Sequence, residues 1–171
     1  MKIDRIETYN LRFEYASGFT YAGGKCTARV TTLVLVHTEC GQVGVGAAYT
    51  HPGLAYLVVQ QQLAPLLLGE DPTDVERLWD RMYHVTRWYG RKGAAMSALG
   101  AIDTAFWDLR GKQQGKPVWE LLGGREPSCP AYASALLWST PEALAEEAAR
   151  HVEKGFRRMK MRLGRGLPYD H

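Results

Sequence analysis

The chain has 171 residues, of which 46% are hydrophobic and 23% are charged, and these are the proportions of an ordinary globular protein. A formal net charge of +3 without a massed run of basic residues argues against nucleic-acid binding. No apolar run approaches membrane-spanning length, and the charged N-terminus is unlike a signal peptide. Three cysteines, odd in number and widely spaced, form neither a disulfide framework nor a metal site, so we expect a cytoplasmic protein.

The first part of the chain predicts an antiparallel sheet. Residues 3–15 alternate between apolar and polar side chains, residues 28–37 are rich in β-branched side chains, and residues 43–46 return after a turn. The glycine-rich segment 16–25 predicts a mobile loop between the first two strands. A second loop is predicted at residues 49–53.

The middle of the chain predicts helices. Apolar residues at helical spacing favour a helix from Leu54 to about Gly69, which Pro65 kinks or interrupts. A second helix is expected to begin with Thr73 as its N-cap. A third helix is expected over residues 94–112.

The last part of the chain predicts a β-α-β unit. Strands are expected at residues 132–138 and 156–163, with a helix over residues 143–152 between them. Ser139 and Glu142 have the spacing of a capping box at the start of this helix. The predicted organisation is therefore an antiparallel sheet with helices, followed by the first elements of a parallel α/β array.

The strand at residues 156–163 carries two cations on one face. Because side chains alternate along a strand, Lys160 and Arg162 point the same way. A sheet built from βαβ units is normally buried on both faces, where a cation is costly unless it meets an anion. The pair is a candidate for chemistry, and a solvated strand face is the alternative reading.

A longer motif lies in the third helix. Residues 98–112 read ALGAIDTAFWDLRGK, followed by GKPV at 115–118 and LLG at 121–123. This arrangement closely resembles the signature of the mandelate racemase and muconate lactonizing enzyme family, within the enolase superfamily. Phe106 stands where that family more often has Leu or Ala.

The resemblance implies a two-part fold. Residues 1–124 correspond to an α+β capping domain, with a three-stranded antiparallel meander and a helical bundle. Residues 125–171 correspond to the first β-α-β unit of an α/β barrel of the (β/α)8 type. Such a barrel needs eight strands and usually about 250 residues, so it is incomplete in this chain.

The resemblance also gives the cations a role. Lys160 and Arg162 match a Lys-x-Lys pair, or its variants, at the end of the second barrel strand, where such enzymes place catalytic residues. It implies proton abstraction next to the carboxylate of a small-molecule substrate, assisted by Mg²⁺. Arginine cannot readily be deprotonated. Because Arg162 cannot serve as a second base, as racemisation would require, the pair favours a dehydratase acting on a hydroxy acid or sugar acid. A racemase or cycloisomerase of the same family is the alternative.

The two predicted loops acquire a role by the same resemblance. Family members close such loops over the barrel mouth, where they shape substrate choice and exclude water. The corresponding substrate-binding candidates are Phe19, Tyr21, Tyr49 and His51. For His51, a plain loop histidine before a proline is the competing interpretation.

The resemblance places the metal site elsewhere. The three acidic magnesium ligands of the family lie on its third, fourth and fifth barrel strands, so no metal ligand is expected within these residues, and the 171-residue chain alone is expected to be inactive. The sequence is then a piece of a longer enzyme, a truncated product, or a non-catalytic capping module used for assembly. For the enzyme, the family implies a homo-oligomer.

Overall fold

The computed structural model describes residues 1–21, 24–164 and 166. Contacts divide the chain into two compact units. One contains Met1–Phe13 and Val30–Glu126, and the other contains Glu14–Arg29 and Pro127–His171. The division expected between residues 124 and 125 stays a prediction.

The first three strands form one sheet in the order β1-β2-β3, and the predicted antiparallel capping-domain sheet is confirmed. The strands are β1 (Ile3–Tyr21), β2 (Gly24–Thr38) and β3 (Val43–Ala48). Every second residue in the latter half of β2 is buried, because one face of the sheet packs on the helices.

The loop predicted at residues 16–25 was wrong over 16–21 and 24–25, because β1 continues to Tyr21 and β2 already begins at Gly24, while residues 22 and 23 lie outside the described part of the structure. Gly18 explains the misleading composition. Its φ of +62° is rarely adopted by other residues, and a Cβ atom there would lie 2.8 Å from the carbonyl oxygen of Cys26. Gly18 therefore permits the close approach of two strand segments and does not mark a loop.

The helical segment after the sheet changes its hydrogen bonding midway. It consists of α1 (Pro52–Leu57), a π-helix (Val58–Leu63) and α2 (Ala64–Leu67). The N–H of Ala64 donates to the carbonyl of Val59, five residues earlier. Since Pro65 has no N–H and crowds the preceding turn, the predicted interruption takes the form of a π-helical turn.

Three further helices complete the first unit: α3 (Val75–Thr86), α4 (Ala94–Gln114) and α5 (Val118–Leu121). The N-cap of α3 is Asp74, so the assignment to Thr73 was wrong. The backbone N–H and hydroxyl of Thr73 both donate to Oδ1 of Asp71, at 3.0 and 2.8 Å. No helix in the described part of the chain is long and apolar enough to span a lipid bilayer.

A single hydrophobic core lies between the sheet and the helices of this unit. Its largest fully buried side chains are Ile3, Val34, Val36, Val59, Leu63, Leu67, Leu78, Met82, Leu99, Ile102, Phe106 and Leu109. Phe106, which departs from the family's usual residue, is completely buried here. The core therefore accommodates the larger ring.

Two glycines of the long motif build the end of α4. Gly115 adopts the left-handed conformation (φ 61°), and the N–H of Lys116 donates to the carbonyl of Gly111 at 3.0 Å. A Cβ atom at Gly111 would stand 2.8 Å from the carbonyl oxygen of Lys116. Both glycines are thus required by the helix terminus itself.

The second unit contains a parallel strand pair, β4 (Ala133–Ser134) and β5 (Met159–Lys160), joined through α6 (Pro141–Glu153). The β-α-β order is as predicted, but both strands are much shorter than expected. The N-cap of α6 is Thr140, whose hydroxyl accepts from the N–H of Ala143, so the capping box assigned to Ser139 was wrong.

Candidate functional site

Lys160 is the last residue of β5 and lies opposite Ser134 of β4 in the parallel register. Its side chain is exposed, and its Nζ lies 6.0 Å from the centre of the Tyr132 ring. At this distance an aromatic face attracts an ammonium group, which helps to orient the lysine. The structure therefore presents Lys160 at the carboxyl end of a strand, beside an aromatic ring.

Arg162 follows two residues later and is held by its backbone. Its N–H donates to the carbonyl of Leu136 at 3.1 Å, which carries the pairing of the two chain segments past the end of β5. The side chain of Arg162 is exposed. Lys160 and Arg162 are thus brought to the same end of the strand pair.

Two residues that the sequence analysis missed shape this end. Leu136 is 8% exposed and has a φ of +54°, a conformation that costs a leucine free energy and that persists only where the surroundings impose it. This backbone conformation interrupts the regular strand geometry after β4, although the carbonyl of Leu136 still accepts the N–H of Arg162. Tyr132, the ring beside Lys160, falls in the strand predicted at residues 132–138, but its approach to Lys160 follows from the register that sets Ser134 opposite Lys160, which the sequence alone does not give.

Tyr49 and His51 lie in the first unit, between β3 and α1. His51 is the N-cap of α1, and its carbonyl accepts the N–H groups of Leu54 and Ala55, both at 3.1 Å. Its ring makes no capping hydrogen bond and is exposed. Tyr49 is also largely exposed. The backbone of His51 is therefore structural, while the ring is available for other contacts.

Phe19 and Tyr21 lie in the part of β1 that belongs to the second unit. The Phe19 ring is half-buried and packs at 5.6 Å, tilted, against the ring of Tyr15. Tyr21 ends β1, and its side chain lies outside the described part of the structure. The predicted substrate contacts of these two residues stay predictions.

Asp108, in the long motif, has a structural role. Its Oδ2 accepts the backbone N–H of Val45 at 2.9 Å and the ammonium of Lys112 at 2.7 Å. Lys112 also donates to the carbonyl of Val43 at 2.6 Å. These contacts satisfy exposed backbone groups along the edge strand β3.

The described residues do not form a magnesium site. Across residues 1–21, 24–164 and 166, no three His, Cys, Asp or Glu side chains converge as a metal site requires. Hard cations such as Mg²⁺ take several oxygen ligands from carboxylates, carbonyls or water. Lys160 and Arg162, being cations, cannot act as such ligands.

Comparison with known proteins agrees with this architecture. Residues 15–123 match the family described as "Mandelate racemase / muconate lactonizing enzyme, N-terminal domain". The chain is 37% identical over 134 residues to an arabinonate dehydratase of Saccharolobus solfataricus, covering 75% of this chain and 36% of that protein. It is 38% identical over 136 residues to a 3,6-anhydro-alpha-L-galactonate cycloisomerase of Streptomyces coelicolor, covering 77% and 38% respectively.

A solved structure matches over nearly the whole chain. A racemase from Streptomyces coelicolor with bound magnesium superimposes with a TM-score of 0.91 at 32% identity, covering 96% of this chain and 48% of that one. The chain thus spans between a third and a half of the length of these relatives. The sheet, the helical bundle and the motif of α4 together show that the chain belongs to the mandelate racemase/muconate lactonizing enzyme family of the enolase superfamily and carries its N-terminal domain.

Proposed function

We propose that this chain contributes the capping domain and the first barrel strands of an enzyme that removes the proton next to the carboxylate of a sugar acid and then eliminates water. Lys160 is the proposed base, and Arg162 binds the anionic part of the substrate or of its ene-diolate. The placement of this pair at the carboxyl end of β5, beside Tyr132, is the observation that carries the proposal.

The chemistry of the two side chains divides the roles between them. A lysine amine can accept a proton, whereas the guanidinium of an arginine stays charged in proteins and offers several N–H donors in a planar fork. Arg162 is therefore suited to hold a carboxylate and to stabilise the negative charge that develops on it. With one base at this strand end, dehydration needs fewer groups here than racemisation, which requires proton transfer on both faces of the carbon.

In the proposed reaction, Lys160 takes the proton from the carbon next to the carboxylate. The electron pair of that C–H bond enters the ene-diolate. The return of this electron pair expels the hydroxyl group from the neighbouring carbon. The hydroxyl group gains a proton and leaves as water. The resulting enol then becomes a 2-keto-3-deoxy acid. Magnesium is the expected cofactor, and its ligands would be residues other than those described.

The relatives support a sugar-acid substrate. One matched protein is an arabinonate dehydratase, and another is an L-rhamnonate dehydratase that is 45% identical over 94 residues. Cycloisomerisation is the second candidate, because a D-galactarolactone cycloisomerase of Agrobacterium fabrum is 31% identical over 99% of this chain. A third candidate, from a different functional class, is an assembly module without catalytic activity. The relatives named here are all enzymes, which weighs against it.

A substrate panel tests the proposal. The full-length natural polypeptide is incubated with MgCl₂ and with aldonates, galactarolactones and 3,6-anhydrogalactonate, and products are identified by mass spectrometry. We expect an acid that has lost one water. An isomer of unchanged mass would favour the cycloisomerase, and exchange of the proton with inversion would favour the racemase. Absence of any turnover across the panel would favour the assembly module.

A further inference from the structure

The end of α3 and the turn that follows it form a basic and aromatic surface depression of about 600 Å³. The described residues that line it are Tyr83, Arg87, Trp88, Tyr89, Arg91 and Lys92. Three of these side chains are cations, three are aromatic, and none is acidic. We propose that this depression is a binding site for a nucleoside diphosphate, with the cations on the phosphate groups and the exposed rings against the base.

The three cations have no partner within the described part of the chain. Two arginines earlier in α3 bind the carboxylate of Glu70, whereas Arg87, Arg91 and Lys92 make neither an ion pair nor a side-chain hydrogen bond there. Like charges around one depression repel each other, and an anion bound among them relieves that repulsion. The planar forks of the two arginines suit phosphate oxygens, which accept paired N–H donors.

The ring of Trp88 helps to hold one of these cations. The guanidinium carbon of Arg87 lies 4.8 Å from the centre of that ring, a distance at which an aromatic face attracts a cation. Since the ring accepts through its face, the N–H donors at the edge of the guanidinium remain available to an oxyanion. Trp88 is 81% exposed, and the next residue, Tyr89, is also exposed. Both rings therefore offer surface on which a base can stack.

The turn that carries these side chains is fixed by close packing. Gly90 is buried, and its N–H donates to the carbonyl of Thr86 at 2.7 Å. A Cβ atom at Gly90 would lie 2.3 Å from the Cβ atom of Ala95 in α4, so a larger residue does not fit. Arg87 and Arg91, on either side of this glycine, are thus attached to an ordered backbone. A ligand that binds them does not have to order the turn first.

Charge and size identify the class of ligand. A diphosphate supplies several negative charges to the three cations, whereas a carboxylate supplies one. A volume of about 600 Å³ is that of a small-molecule site. A nucleic acid would need further cations along its backbone, but Arg77 and Arg81 of α3 are already paired with Glu70. A small phosphorylated molecule with a flat ring is therefore the favoured occupant, and this assignment does not depend on the proposed dehydration.

Isothermal titration calorimetry on the full-length polypeptide tests the site with ADP and with its two parts, pyrophosphate and adenosine. We expect ADP to bind at least about tenfold more tightly than either part, because ADP alone engages the cations and the rings together. Arg87→Gln and Arg91→Gln should each weaken the binding of ADP and of pyrophosphate by about tenfold.

Two variants of Trp88 test the contribution of the ring. Trp88→Leu should weaken the binding of ADP by about tenfold and that of pyrophosphate by less than about threefold, because the base loses its stacking surface and the phosphate groups keep their cations. Trp88→Phe retains an aromatic face and should bind ADP within a few-fold of the wild type.

Two controls distinguish this depression from the strand end that carries Lys160. Arg125→Gln changes an exposed cation that makes no ion pair among the described residues, and it should bind ADP as the wild type does. Lys160→Met should also bind ADP normally, since Lys160 belongs to the other unit. Loss of ADP binding in Lys160→Met would overturn the assignment to this depression, while the proposed dehydratase function would stand.

Three further outcomes would overturn the proposal. These are a wild-type protein that does not bind ADP at millimolar concentration, equal affinity for ADP and pyrophosphate, and unchanged ADP affinity in the arginine variants. Circular dichroism checks that each variant is folded. If one arginine variant fails to fold, Lys92→Gln takes its place and is expected to weaken the binding of both ADP and pyrophosphate.

Discussion

Gly46 of β3 lies against the backbone of Ala101 in α4, so closely that a Cβ atom on Gly46 would stand 1.8 Å from the carbonyl oxygen of Ala101. The same contact recurs one pleat away, where a Cβ atom on Gly44 would stand 2.2 Å from the carbonyl oxygen of Ala105. The Gly-x-Gly strand and the small residues of the helix motif therefore form one packing unit. This unit holds the capping-domain sheet on its helical bundle.

Replacing Gly46 by alanine should destabilise the fold severely. Because the obstructing atoms belong to the backbone and cannot rotate away, we expect a loss of about 3 kcal/mol or more in the free energy of unfolding. Urea denaturation followed by circular dichroism measures it. Gly100→Ala is the matched control, since no atom lies within 4 Å of a Cβ there, and it should be neutral or stabilising by up to about 1 kcal/mol. Equal stability of the two variants would contradict the close packing.

Asp103 should lower the stability of the fold at neutral pH. Burial raises the pKa of its carboxyl, and the nearby charge of Glu76 raises it further. A folded-state pKa above the unfolded value means that stability falls as the pH rises through that pKa. Asp103→Asn should therefore be more stable than the wild type at pH 7, with a gain that vanishes well below the ordinary value of 3.8.

Glu76→Gln separates the two causes in this prediction. It removes the repulsion by Glu76 but leaves the burial of Asp103 unchanged, and it also removes the exposed ion pair of Glu76 with Arg110 at 3.6 Å, so its gain in stability at pH 7 should be the smaller one. Urea denaturation across the pH range measures both variants. An Asp103→Asn protein that is less stable than the wild type at pH 7 would show that the carboxylate makes a favourable contact.

Glu70 should contribute to stability with the opposite pH dependence. Hydrogen bonds from Arg77 and then Arg81 hold the pKa of its carboxyl below the ordinary value of 4.5. Such a group stabilises the fold above its unfolded pKa, and the contribution is lost as the pH falls through the lower folded pKa. Glu70→Gln should thus lower the melting temperature at pH 7, and the difference should shrink below about pH 4.5.

Glu39→Gln is the control for Glu70, because Glu39 is exposed and its side chain makes no ion pair among the described residues. Its melting temperature should follow the wild type at every pH. A Glu70→Gln difference that stays constant with pH would mean that the two arginines do not act through the charge of the carboxylate.

Sequence patterns predicted the element types better than their ends. The alternation in β2 and the helical spacing in α4 depend on which face is buried, and burial is encoded directly in side-chain polarity. The end of β4 depends on Leu136, whose backbone is left-handed. A leucine gives no sequence signal for this conformation, so the end of the strand could not be predicted. Gly18 contributed to the wrong loop prediction for a related reason. A glycine within a strand and a glycine in a loop cannot be told apart by composition.

The candidate site was predictable only in part. The spacing of Lys160 and Arg162 places both at one strand end, and a local pattern suffices for that. The approach of Tyr132 to Lys160 depends on the register between two strands that are separated by a helix, and register follows from packing across the whole unit. Residues distant in sequence were therefore the ones missed.

The role of Lys160 is tested most directly by exchange of the substrate's α-proton with deuterated solvent, measured by NMR on the full-length polypeptide with MgCl₂ and an aldonate that it turns over. For Lys160→Met we predict loss of both exchange and dehydration by about 100-fold or more, as expected when a general base is removed. Arg157→Met, an exposed neighbouring cation, should exchange at the wild-type rate. Exchange by Lys160→Met within a few-fold of the wild-type rate would contradict the assignment of Lys160 as the base.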